Sequence, residues 1–351
     1  MFVHGNHSMK VNMKSVAWCM AAVIPMLVSA CGGGGSATPS NATTPSPPVA
    51  VTPAPTTPVQ DIQTAVPLPT YAPNSEALAF FNAFNTARAH LGLGLLAENV
   101  KLNQAAANHG AYQAQNPDLD LFATDSATGR PVFHIEAPTR PGFTGVQELD
   151  RAKYAQYAGA YVGETGSFGL GKGAVKSFND LMSTVYHRAA FLFQSPRDVG
   201  IFVGNDKSQT VIVEFGFETK GQFNASTYFG SYPADKQTGV PLAAASELPN
   251  PFPDIALADY PIKTSYPVNV VSVEGSTVTV TSFTVTEAGQ NTPLDVRLIT
   301  KDSDPNKYIP SNYAFVVGKA PFKVNTTYNV VFSGKVNGIA VSKSWSFTTQ
   351  A

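Results

Sequence analysis

Only two cysteines occur in this 351-residue chain, Cys19 and Cys31. Cys19 lies inside the apolar stretch Val16 to Val28, which reads as the core of an export signal, so the mature chain has no thiol pair and no disulfide framework. That stretch is also too short to span a bilayer. Basic residues do not cluster, and the net charge is −1. The electrostatic footprint of a nucleic-acid binder is therefore missing. From about Tyr228 onward there is no histidine, and the acids stand singly among turns, so no catalytic constellation is read there. With 43% hydrophobic and 11% aromatic residues, the chain must instead be held by ordinary apolar cores.

What the N-terminus does contain is ordered. Lys10 and Lys14 precede the apolar stretch, and Ser29-Ala30-Cys31 is followed at once by Gly32 to Gly35. The arrangement resembles a bacterial lipobox, which implies removal of residues 1–30 and lipidation of Cys31 on sulfur. Gly32 stands where aspartate is associated with inner-membrane retention, so the resemblance favours the outer membrane if the cell is Gram-negative. Residues 31–73 are rich in Gly, Ser, Thr, Ala and Pro and read as a tether. As polyproline II, about 40 residues at ~3.1 Å each reach on the order of 120 Å.

Asn74-Ser75-Glu76 opens a helical pattern through Leu78, Phe81, Phe84, Ala87 and Leu91, which Gly92 and Gly94 end. A second helix is expected from about Asn99, with Leu102, Ala105, Ala106 and His109 on one face and Pro117 as its stop. Residues 117–171 read as irregular. A third helix is expected from about Ala174 through Met182 and Val185, and then a hairpin from Val199–Val203 and Val211–Phe217. Together these predict an α+β domain over 74–221. Over 228–351, alternating Val- and Thr-rich segments such as Val268–Val273 and Tyr328–Ser333 predict an all-β sandwich.

Phe84-Asn85-Thr86-Ala87-Arg88, Leu102 to His109, Phe133-His134, Gly163-Glu164, Tyr186-His187-Arg188 and Asp198 to Ile201 occur in an order similar to that of a bacterial CAP (SCP/TAPS) domain. The resemblance implies a three-layer α-β-α sandwich with a surface cavity lined by His134, Glu164 and His187. Thr165 departs from the Asn of the family's Gly-Glu-Asn motif, and Ser183-Thr184 stand where many eukaryotic members carry a second acid. The resemblance thus implies a three-ligand set for a divalent metal, zinc or calcium, with the fourth position empty or filled by water. Neutral imidazole and carboxylate suit zinc in that pattern. The wide spacing between His134 and Glu164 gives no local support, so only the fold can join them. A hydrogen-bonded cavity without metal stays open as the alternative.

His109, on the apolar face of the second helix, reads as a satisfied core histidine, and His90 as a solvated helix-end residue. Glu136 and Glu148 are expected in solvated loops. The run Gly166 to Gly173 lacks the strand and the Gly-Lys-Ser/Thr ending of a phosphate loop, and Thr165 breaks the spacing of a nucleophile elbow at Ser167. The region 228–351 resembles bacterial Ig-like modules, with Tyr232–Pro241 as opening strand and Trp345–Thr349 in the last. These readings favour an exported, membrane-anchored, non-enzymatic binding protein for a small molecule, a lipid or an envelope target. A zinc-dependent, peptidase-like hydrolase and an inert envelope protein are the alternatives.

Overall fold

The computed structural model describes residues 59–167, 173–204 and 210–351. The export signal, Cys31 and the start of the Pro-rich segment lie outside the described residues, as do 168–172 of the glycine-rich run and the hairpin turn at 205–209. No helix among the described residues is long and apolar enough to cross a membrane.

Residues 59–73 correct the reading of a tether that extends to residue 73. Asp61 and Phe223 exchange backbone hydrogen bonds, and the Gln63 side-chain amide donates to the carbonyls of Leu95 and Arg197, both at 2.8 Å. Asp61 also pairs with Arg197 and Lys220, each at 2.6 Å. The segment is a strap laid on the folded chain. Its composition is that of a linker, but Gln63 finds carbonyls that only the tertiary structure supplies.

Helix α1 spans Glu76–His90, with the Ser75 hydroxyl accepting from the Leu78 amide at its N-terminus. The two-residue strand β1 (Ala97–Glu98) leads into α2 (Val100–Gln115), capped by the Asn99 side chain. The region 117–171, expected to be irregular, holds helix α3 (Glu148–Tyr154) and strand β2 (Tyr161–Ser167). Two glycines weaken the local strand signal of β2, and its pairing comes from the neighbouring strand. The helix expected from Ala174 through Val185 divides into α4 (Ala174–Met182) and α5 (Tyr186–Phe191). At the break the Ser183 hydroxyl turns back to the Asn179 carbonyl. Strands β3 (Asp198–Val203) and β4 (Val211–Phe217) are paired antiparallel.

The first sheet has the order β1-β3-β4-β2. Strand alternation sorts its two faces. Val199, Ile201, Val211, Val213 and Phe215 pack with Phe80, Phe84, Phe178 and Phe191 from α1, α4 and α5. Ile212 points the other way, against Ala106 of α2 and Phe133. Helices thus cover both faces. Gly200 lets α2 approach closely, since a Cβ there would sit 2.1 Å from the Leu102 carbonyl carbon.

The second half consists of β5 (Phe229–Tyr232), β6 (Gln237–Val240), the short helix α6 (Tyr260–Lys263), β7 (Val268–Ser272), β8 (Val278–Glu287), β9 (Val296–Thr300), β10 (Tyr313–Gly318), β11 (Thr327–Val336) and β12 (Ile339–Thr349). Two four-stranded sheets result, ordered β5-β7-β10-β9 and β6-β12-β11-β8. The segment read as a single opening strand is divided between them. β5 ends at Tyr232 and pairs antiparallel with β7, whereas β6 runs parallel to β12.

The two halves share one apolar core, in which Phe80 and Phe191 belong with Val268, Tyr313 and Phe315. Arg188 is buried at the junction. Its guanidinium lies 4.9 and 4.4 Å from the ring centres of Tyr232 and Tyr266, and its Nε donates to the Met182 carbonyl at 2.6 Å. The chain is α+β, and the change of architecture near residue 228 does not coincide with a break in the core.

Candidate functional site

The site begins at Arg151 on α3, a buried guanidinium surrounded by carboxylates. Its Nη2 donates to Glu164 Oε2 at 2.5 Å, Glu214 lies 3.9 Å away, and Nη1 donates to the His134 carbonyl at 3.1 Å. Glu164 on β2 and Glu214 on β4 are directly opposed across the sheet. The second oxygen of Glu164, Oε1, lies 2.7 Å from His134 Nδ1, where the imidazole closes a 3₁₀ turn over Val132–His134.

Their protonation states follow from the surroundings. Burial alone would raise Glu164, but Arg151, followed by His109 and His134, holds it well below the usual carboxylate range. Burial pushes Glu214 the other way, and the charge on Glu164 adds to that, so Glu214 is held well above the usual range. One buried cation cannot keep two facing carboxylates ionised. Burial lowers the His134 pKa against the pull of Glu164.

His109 occupies the core position expected of it. Its Nδ1 lies 2.9 Å from Glu136 and its Nε2 lies 2.7 Å from the Phe133 carbonyl. Glu136 is not in a solvated loop. It is fully buried, and its Oε2 accepts from the amides of Thr144 and Gly145. Glu148 starts α3 and pairs with Arg130 at 2.8 Å. His90 is exposed.

His187, in the first turn of α5, does not join the Arg151 cluster. Its Nδ1 lies 2.9 Å from Glu247 Oε2, and Glu247 is buried. The same carboxylate accepts from the amides of Val185 and Tyr186. His134 and His187 meet across a cavity of about 530 Å3. Leu121, Phe122, Leu181, Leu248, Leu257 and Pro261 make much of its wall apolar. The volume is within the ~300–1,000 Å3 of small-molecule sites. Neither imidazole Nε2 has a hydrogen-bond partner among the described residues.

These side chains do not form the expected three-ligand metal set. Both oxygens of Glu164 are engaged, one by His134 and one by Arg151, and the side chain is fully buried. Among the described residues no group of three or more His, Cys, Asp or Glu is placed to hold a metal ion. Glu164 instead orients His134, as Glu247 orients His187.

Arg151, Glu214 and Glu247 are absent from the sequence reading. Glu214 had a signal, as a lone acid inside the apolar run Val211–Phe217. Arg151 lay in a region read as irregular. Glu247 had no local signal, standing as a single acid in the β-rich half.

No family model matches this sequence, and no curated protein matches it. Among solved structures, an extracellular SCP-domain protein from Bacillus anthracis is similar at 19% identity with a TM-score of 0.31. That match covers 41% of this chain and 40% of the other. An outer surface protein from Borrelia burgdorferi matches at 14% identity and a TM-score of 0.32, over 41% of this chain and 94% of its own.

Proposed function

We propose that this chain is an exported, lipid-anchored binding protein in which a CAP-type domain over 74–221 precedes an Ig-like sandwich over 228–351. The cavity between His134 and His187 takes up a small amphipathic molecule without turnover. The lipobox-like context of Cys31 supports export and anchoring. Helices on both faces of a four-stranded sheet support the CAP reading, and the paired four-stranded sheets support the Ig-like one.

One observation carries the binding reading. Two imidazoles, each held at Nδ1 by a buried carboxylate, stand on the wall of a cavity that is otherwise mostly apolar. Few fixed polar groups on an apolar wall are the marks of a ligand pocket. Hydrolysis would need a poised nucleophile or an open set of metal donors, and Glu164 is already committed to His134 and Arg151.

Titrating the full chain with the neutral fluorophore N-phenyl-1-naphthylamine tests this. Saturable uptake at one site is expected, weakened at least ten-fold by Leu257→Arg, which sets a charge on the cavity wall at a partly exposed position. Uptake that never saturates, or that Leu257→Arg leaves unchanged, would refute it.

A further inference from the structure

The cavity is closed on one side by the connection 241–267 between β6 and β7. That connection contains short helical turns, α6 among them, and is otherwise irregular. It is anchored at both ends: Tyr266 and Phe322 donate to the Leu242 carbonyl, and the Ala244 amide donates to Thr264 Oγ1. Between those anchors it leaves the β-sandwich. The Ala245 amide donates to the Ser183 carbonyl at 3.1 Å, in the break between α4 and α5. Asn250 ties its far part together, donating to the Ile255 carbonyl and accepting from the Tyr260 hydroxyl. Asn306 donates both to the Asn250 carbonyl and to the Tyr186 hydroxyl. A segment fixed at this many points is a built wall, and it brings Glu247, Leu248, Leu257 and Tyr260 to the cavity.

We infer that this connection sets the ligand class of the cavity, with Glu247 as the positioning residue for His187, so that the polar end of the ligand is an uncharged hydrogen-bond donor such as a hydroxyl. The inference rests on the binding function proposed above. A neutral imidazole that gives its Nδ1–H to a carboxylate presents Nε2 as a lone pair. Glu164 imposes that tautomer on His134 and Glu247 imposes it on His187. Two lone pairs accept from a hydroxyl or an amide N–H. They repel a carboxylate, as does Glu247 itself, which lines the same cavity. The apolar wall takes up the remainder of the molecule.

The test uses the full chain at pH 8 and two probes with the same tail, 1-dodecanol and dodecanoate, each displacing N-phenyl-1-naphthylamine. Dodecanol should compete at least ten-fold better. The ¹⁵N shifts of the His187 ring should report the proton on Nδ1. In Glu247→Gln the amide oxygen can still cap Val185 and Tyr186, while the amide nitrogen donates to His187 Nδ1. The ring proton should then move to Nε2 and the preference for dodecanol should shrink several-fold.

Equal or better competition by dodecanoate in the wild type overturns the inference even if the variant does not fold. So does a His187 ring that carries its proton on Nε2 in the wild type. Failure of the fluorophore to bind at all would instead defeat the binding function itself, and the assigned ligand class with it.

Discussion

His187 Nδ1 lies 2.9 Å from Glu247 Oε2, and the two residues are 60 positions apart. His187 belongs to the helical half of the chain and Glu247 to the long connection inside the β-rich half. The pair therefore makes the cavity a property of both halves of the chain together.

A fragment ending at residue 221 loses Glu247 and uncovers Phe191 and Leu192, which pack in the same core as Val268 and Phe315. Exposed apolar area of this kind drives association. Expressed alone, 74–221 should aggregate or unfold without a cooperative transition, whereas Thr56–Ala351 should melt as one unit in calorimetry. A monomeric fragment melting as sharply as the longer chain would show that the shared core is dispensable.

Arg151→Leu should destabilise the chain by about 3–5 kcal/mol in urea unfolding, because it leaves buried carboxylates without their cation. The companion substitution Glu164→Gln removes one of those charges. Combined with Arg151→Leu, it should recover part of the loss. Additive costs would mean that the two groups are not energetically coupled.

The pH dependence has two opposite contributions. Glu214 is held above its ordinary value of 4.5, so above pH 4.5 the unfolded chain releases a proton that the folded chain keeps. Stability falls with rising pH over that window. Glu214→Gln does not titrate, and its stability should gain on the wild type from pH 4.5 upward, while below that pH the difference stays constant. His134 has the other sign. Burial lowers it below 6.5, so its contribution is present above pH 6.5 and lost as pH falls. His134→Gln should flatten that part of the curve. Stability profiles that coincide with the wild type would contradict both assignments.

Gln63→Ala removes two donors to the carbonyls of Leu95 and Arg197. A cost of roughly 1–3 kcal/mol is expected. Hydrogen exchange should quicken at the amides of Asp61, Leu95 and Phe223, which belong to the same strap. Unchanged exchange there would mean the strap is held by other contacts.

Local sequence determined the parts of this protein that depend on neighbouring residues. Ser75 and Asn99 start helices because a short oxygen-bearing side chain satisfies a free amide within the same turn. Val211–Phe217 forms a strand because its β-branched and aromatic residues are covered on both faces, Val211, Val213 and Phe215 on one and Ile212 on the other. The pairing of His134 with Glu164 was legible only through an ordered set of family-like motifs. Tertiary structure decided what depends on distant partners. It made a linker-like segment a strap, divided one predicted helix at Ser183, and buried Glu136 against His109. It also committed both oxygens of Glu164, to His134 and to Arg151, and it brought Glu247 to His187. A carboxylate's role is fixed by the charges and donors within a few ångströms of it. In this chain those groups come from distant segments, 60 positions away for Glu247 and His187, so no local pattern records them.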